Sequence, residues 1–226
     1  MSETGTESVH PTAPPRAVAL SGVVFASLYI TSLVLVRLTV PADPTDPGAW
    51  LTDPASRSWV GVAMNLVPFA GIAFLWFMAV LRNHIGLKED RLFGTVFLGS
   101  GFLFVAMTFA AAAVAQGLHA VGTSGSPVDS ETYRMARRMV YALMMTFSMK
   151  MAAVFMFVTS TIGLRTAVFS RWVSFVGFAF GLMLLLVISN FAWIALLFPS
   201  WVLLVSAWIM ITDFRQDHMV EPETLS

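Results

Sequence analysis

One residue, a lysine inside an apolar run, has a position that strongly limits the chemistry its side chain can perform. Lys150 lies within residues 139–163, a stretch apolar enough to cross a bilayer, and no comparable run contains Asp or Glu. It lies about 18 Å along a helix from Arg138 and about 22 Å from Arg165, so it falls near the middle of the membrane. An ammonium group at that depth is costly and must be held by protein, ligand or water.

Two interpretations of Lys150 stay open. In the structural one, the ammonium is held by acceptors inside the protein or by an internal water. In the functional one, it binds an anion or a lipid headgroup, with Asn65, Thr146 and Asn190 as companion ligands. Ser100 and the Met64 carbonyl, which Pro68 leaves without a donor, are further acceptors in the structural case. We predict that Lys150→Met keeps the fold.

Three arginines precede the same apolar run. Arg134, Arg137 and Arg138 lie where a helix would emerge from the bilayer. They are candidates for contact with lipid phosphates, each contributing about 1 kcal/mol with anionic lipid. The alternative is a solvated collar paired with Asp129 and Glu131.

Several chemistries are excluded by what the chain contains. Cysteine is absent, which removes disulfides, thiolate nucleophiles and cysteine-based metal sites. The four histidines lie in the tails or near opposite membrane faces, so no pair can sandwich a haem within the bundle. Half of the 14 methionines fall in or just before the Lys150 run, and we attribute them to adaptable packing rather than copper binding. No metal or cofactor is expected.

The composition is that of a membrane protein. Hydrophobic residues make up 57% of the 226-residue chain and charged residues only 12%, about half the share in soluble domains. Net charge is zero, so nothing favours a nucleic-acid partner. The lipid bilayer is the expected partner.

The apolar runs predict an all-α, six-helix transmembrane bundle. We place the helices at residues 17–37, 58–82, 92–117, 138–164, 171–195 and 199–213, each near the length that spans the hydrocarbon core. The membrane domain covers residues 16–215, between a disordered N-terminal tail (1–15) and a C-terminal tail (216–226).

Local signals predict where three helices begin or break. Asp53 can cap the second helix with Pro54 at its first position, and Asp129 or Ser130 can cap the fourth. Pro199 should divide the long apolar stretch near the C-terminus, because proline disfavours helix in the residue before it.

Small residues offer surfaces for close helix contact. Gly177 and Gly181 form a GxxxG pair, and the third helix carries several glycines and alanines. These faces serve packing within the bundle or association with a second copy or another membrane protein, and the sequence leaves both open.

Two stretches resemble a group of uncharacterised actinobacterial membrane proteins. They are residues 67–77 (VPFAGIAFLWF), and residues 89–93 (EDRLF) with 95–102 (TVFLGSGF). The resemblance covers the second and third helices best. It implies a bacterial six-helix membrane protein and carries over no activity, ligand or catalytic residue.

The preferred function is non-enzymatic: a multi-pass membrane protein that binds or moves a lipid or small anion, with Lys150 as its polar anchor. The alternative is a structural or assembly subunit of a larger membrane complex, and an enzyme ranks third. Basic residues are slightly more numerous on the side of the termini, which predicts cytoplasmic termini in a bacterial inner membrane.

Overall fold

The fold was described from a computed structural model covering residues 15–41, 46, 48–85, 91–124, 129–166, 169–186 and 192–220. Every regular element in these ranges is helical, which confirms the predicted all-α, six-helix bundle. The helices are α1 (Pro15–Thr39), α2 (Pro54–Ile85), α3 (Arg91–Thr123), α4 (Ser130–Thr166), α5 (Arg171–Leu186) and α6 (Leu197–Val220). Two short 3₁₀ turns, Ala49–Leu51 and Ala192–Leu196, precede α2 and α6.

Five of the helices are long and apolar enough to cross a membrane, and this makes the chain a multi-pass membrane protein. They are α1, α2, α3, α4 and the segment Trp193–Thr212 that contains most of α6. The exception is α5, of which the 16 described residues extend about 24 Å. This is less than the roughly 30 Å of a hydrocarbon core.

The predicted caps of α2 and α4 are confirmed. The Asp53 carboxylate accepts from the Ser56 N–H at 2.9 Å, and Pro54 is the first residue of α2. The Asp129 carboxylate accepts from the N–H groups of Glu131 and Thr132, both at 3.2 Å. Both caps satisfy donors that a helix cannot pair internally.

The predicted boundary between the last two helices differs in part from the structure. Residues 187–191 lie outside the described residues, and the predicted last residues of the fifth helix, 192–195, belong to a 3₁₀ turn; α6 begins at Leu197, two residues before the predicted start, so Pro199 lies in its first turn. The physical reason is that N–H groups in a helix's first turn have no intrahelical acceptor, so proline fits there without loss. At its other end, α6 continues to Val220, whereas the sequence predicts the C-terminal tail from residue 216.

An aromatic cluster holds the centre of the bundle. It joins five helices through one phenylalanine each: Phe25, Phe74, Phe104, Phe155 and Phe198, every one of them at most 1% exposed. Ring centroids of Phe104 and Phe198 are 4.7 Å apart, and those of Phe74 and Phe155 are 5.2 Å apart in an edge-on arrangement. Edge-to-face packing of this kind gives the helices specific contacts that lipid chains cannot supply.

Glycines allow the closest helix approaches. A Cβ at Gly177 would collide with the Ser160 hydroxyl of α4 and stand 2.7 Å from Trp201 Nε1 of α6. One turn further along α5, a Cβ at Gly181 would stand 3.3 Å from the Ala153 carbonyl oxygen. The GxxxG pair therefore packs α5 against α4 of the same chain.

Candidate lysine site within the membrane

Lys150 is half-buried on α4, and none of the described residues hydrogen-bonds or ion-pairs with its ammonium. Its neighbours on the inner side of the helix, Met149, Ala152 and Ala153, are at most 1% exposed. Lys150 therefore lies beside a packed face of α4, while its own side chain stays partly accessible. An ammonium this far from either aqueous phase needs a counter-charge or acceptors from outside the described chain.

A π-helical segment leads directly to this lysine. It spans Ala142–Ser148, and the N–H of Met149 closes it by donating to the carbonyl of Met144, five residues back. Segments of this kind change which side chains share a face of the helix, and they are frequent at functional sites. Here the wide turn puts Thr146 and Lys150, four residues apart, close to the same face.

The last described turn of α5 lies beside the lysine. Contacts of Gly177 with Ser160 and of Gly181 with Ala153 show that α5 runs antiparallel to α4. From Gly181, the described residues to Leu186 extend α5 by about 7.5 Å, to the level of Lys150. Further towards the start of α4, Thr146 and Phe147 are exposed.

Two side chains of the π-helical segment form hydrogen bonds with other helices. The Thr108 and Ser148 hydroxyls are hydrogen-bonded at 2.7 Å, and Ser148 is also 3.3 Å from the Phe104 carbonyl oxygen. The Tyr29 hydroxyl donates to the Met144 sulfur at 3.6 Å. Sequence analysis missed this buried group, because scattered hydroxyls in apolar runs give no sign of which helices meet.

The predicted companions of Lys150 are dispersed. Asn65 is exposed on α2, and its side-chain carbonyl accepts from Gln116 of α3 at 3.4 Å. Ser100 donates to the Val96 carbonyl in its own helix at 2.7 Å. Asn190 lies outside the described residues, which leaves Thr146 as the predicted companion that α4 places beside the lysine.

The three arginines at the start of α4 have different surroundings. Arg137 pairs with Asp46 at 3.2 Å and donates to the Pro41 carbonyl at 2.6 Å, so its donors face the α1–α2 connection. Arg134 and Arg138 are exposed. Lipid-phosphate contact therefore remains a prediction for all three, with Arg134 and Arg138 more accessible than Arg137.

A second polar group, also missed from the sequence, fixes the α1–α2 connection to α4. The Trp50 indole N–H donates to the Tyr133 hydroxyl at 3.1 Å, and that hydroxyl donates to Asp46 at 3.1 Å. Gly48 adopts φ +89°, and a Cβ there would stand 2.9 Å from the Tyr133 ring. Glycine is required at this position both for the left-handed backbone and for the close contact.

Comparison of the chain with protein-family models, with curated proteins and with solved structures found no match. Across the described ranges, no three His, Cys, Asp or Glu side chains are grouped so that they could hold a metal ion. The resemblance to actinobacterial membrane proteins stays a prediction. Any function must therefore be argued from the geometry around Lys150.

Proposed function

We propose that this membrane protein binds a lipid headgroup or small anion through Lys150. The supporting observation is an ammonium that lies near the middle of a spanning helix, is half-buried, and has no partner among the described residues. An opposite charge at such a site is attracted far more strongly than in water, because the local dielectric constant is low. A bound anion would thus remove most of the cost of placing the lysine there.

The surroundings favour an external ligand over an internal one. The buried hydroxyls of Thr108 and of Ser148, two residues before Lys150 on α4, bond to each other and not to the lysine. Thr146, exposed one turn before Lys150, has a hydroxyl free to donate to the same ligand. A lysine and a threonine on a run that contains no Asp or Glu provide donors suited to an anion.

The proposal is tested by comparing Lys150→Met and Lys150→Arg with the native chain in lipid nanodiscs. Native mass spectrometry should find a lipid or anion retained by the native protein and by Lys150→Arg, and lost from Lys150→Met. Lys150→Met should remain folded with equal or higher thermal stability, because it removes an unpaired charge. Loss of folded protein in Lys150→Met, or unchanged retention of ligand, would show that the lysine is structural.

A second function, as an assembly subunit, is favoured by an open face on α3. Among the described residues, no atom outside the local helix lies within 4 Å of a Cβ at Gly99 or Gly117. Ala106 and Ala113 lie between them on the same side and are exposed. Small residues that stay uncovered suit the close approach of another transmembrane helix.

Disulfide trapping tests this second function. Because the chain has no native cysteine, any crosslink must involve the introduced one. Ala106→Cys should give one discrete crosslinked species in native membranes, either a dimer or a complex with a second polypeptide. Phe175→Cys on α5 is the control, since Phe175 is 63% exposed outside the small-residue face. Equal crosslinking at both positions would indicate random collision and count against assembly.

For localisation we propose the bacterial inner membrane with both termini in the cytoplasm. The support is the modest excess of basic residues on the side of the termini. Single cysteines at Ser130 and Thr166, both exposed at opposite ends of α4, provide the test. A membrane-impermeant maleimide should label residue 130 in intact spheroplasts and residue 166 only after lysis; the reverse pattern would invert the topology.

A further inference from the structure

We propose that a water molecule is bound inside the bundle, where it bridges the indole N–H of Trp201 on α6 and the hydroxyl of Ser160 on α4. Both polar atoms lie against Gly177 of α5. This site is separate from Lys150, because Ser160 lies ten residues further along α4, about 15 Å away. Water binding here is therefore independent of whether Lys150 binds an anion.

Buried polar side chains without partners mark the site. Among the described residues, five buried side-chain atoms have no hydrogen-bond partner, and all of them lie on α4, α5 or α6: Thr159 Oγ1, Ser160 Oγ, Ser174 Oγ, Trp201 Nε1 and Ser206 Oγ. Each of these residues is at most 1% exposed. Leaving a buried polar group unbonded costs about 1–3 kcal/mol. Groups of this kind are therefore usually bonded to protein or to ordered water.

The indole of Trp201 most needs an acceptor from outside its own helix. A hydroxyl can turn to donate to the carbonyl four residues back in its helix, as Thr161 does with Phe157 at 2.8 Å. An indole N–H has no such option, because it is a donor held at the edge of a rigid ring. Trp201 Nε1 lies against α5, 2.7 Å from where a Cβ of Gly177 would stand. Its acceptor must therefore be found between the helices.

Ser160 lies close enough to Trp201 for one water to bridge them. Its Oγ is nearer to the same Gly177 Cβ position than Trp201 Nε1 is, so the two atoms are separated by less than twice 2.7 Å, or 5.4 Å. They do not bond to each other directly. A water with two hydrogen bonds of about 2.8 Å spans up to about 5.6 Å. Ser174, three residues before Gly177 on the buried face of α5, carries a further unpartnered hydroxyl, and buried waters typically make about three hydrogen bonds.

The surroundings select water over a charged ligand. The unpartnered atoms belong to neutral side chains, and the nearest charged residue on α4, Arg165, is exposed five residues beyond Ser160. An ion among these groups would lack a counter-charge inside the membrane. Water accepts, as the indole N–H requires, and donates, as a hydroxyl oxygen allows. A separation below 5.4 Å also limits the bridging ligand to about one non-hydrogen atom.

A crystal structure of the full chain, at a resolution that shows ordered water, gives the direct test. We expect a water peak within about 2.7–3.2 Å of both Trp201 Nε1 and Ser160 Oγ. The lack of a peak, a direct bond between these two atoms, or a Trp201 N–H that donates to a backbone carbonyl would each overturn the proposal. Density larger than one atom would overturn the assignment of the ligand as water.

Nuclear magnetic resonance of nitrogen-15-labelled tryptophan in lipid nanodiscs supplies a second readout. The Trp201 indole signal, identified by its loss in Trp201→Phe, should show cross-relaxation with water in the native chain. Ser160→Ala removes one side of the bridge and should reduce this cross-relaxation at least threefold, while unchanged signals from the other six tryptophans show that the fold is kept. Thr161→Ala is the matched control, because the Thr161 hydroxyl bonds within its own helix; it should leave the water contact unchanged. Equal water contact in Ser160→Ala and the native chain would overturn the bridge.

Discussion

Arg137 of α4 and Asp46 of the α1–α2 connection form an ion pair at 3.2 Å in which the aspartate side chain is only 8% exposed. Tyr133 donates to the same carboxylate at 3.1 Å. Because both partners lie more than 80 residues from Asp46 in sequence, the pair fixes the α1–α2 connection to the start of α4. The ion pair also engages a guanidinium N–H of Arg137, an arginine for which the sequence predicts contact with lipid phosphates.

Removing this ion pair should destabilise the protein. Arg137→Gln leaves the largely buried Asp46 carboxylate without its cation, and we expect a loss of about 1–3 kcal/mol in the free energy of unfolding. Thermal unfolding in detergent and proteolysis of the α1–α2 connection would measure the effect. Arg138→Gln, on an exposed neighbour, should change stability by less than about 0.5 kcal/mol, and an equal loss in both variants would contradict the assignment.

The glycines of α3 and α5 should respond oppositely to alanine. Gly177→Ala places a methyl group against the Ser160 hydroxyl and the Trp201 indole, and should cost about 1–3 kcal/mol by forcing α5 away from α4 and α6. Gly99→Ala meets open space and should be neutral or stabilising by up to about 1 kcal/mol, since alanine favours helix. Unfolding in detergent measures both, and similar losses for the two variants would refute the packing described.

The buried hydrogen bond between Thr108 and Ser148 should appear as a coupling energy. A double-mutant cycle with Thr108→Val and Ser148→Ala should give about 0.6 kcal/mol, and no more than about 1.7 kcal/mol, as found for hydrogen bonds between membrane helices. The measured quantity is the non-additivity of the unfolding free energies. Zero coupling would show that the two hydroxyls are not bonded to each other.

Acid should weaken the cap of α2. Hydrogen bonds donated by the Ser56 hydroxyl and N–H are the main cause that lowers the pKa of Asp53, which lies outside the spanning helices. A carboxylate with a depressed folded-state pKa stabilises the fold above its unfolded pKa of about 3.9, and this contribution is lost as pH falls through the folded value.

Asp53→Asn provides the comparison for that pH dependence. Asparagine also caps helices well, so the variant keeps the neutral part of the interaction and loses only the part that titrates. The melting temperature of the native chain should exceed that of Asp53→Asn slightly at pH 7, and the two should converge as the pH falls through the lowered folded-state pKa of Asp53. A difference independent of pH would exclude titration of Asp53 as its cause.

Much of the fold follows from local sequence signals. Apolar runs of spanning length predict six helices, and the caps at Asp53 and Asp129 depend only on residues within three positions of each carboxylate. The first residue of α6 could not be read in this way. Pro199 is compatible both with ending one helix and with starting the next, and only contacts with neighbouring helices select between them.

The candidate site could also be predicted only in part, because local sequence signals do not show which helices meet. The sequence by itself determined that one ammonium lies deep in the membrane without an acidic residue on the spanning segments, because composition and spacing fix both facts. Only the tertiary structure decided which residues surround it. Asn65 bonds to Gln116, Arg137 pairs with Asp46, and α5 packs on α4 through Gly177 and Gly181, since each contact depends on the register between helices distant in sequence.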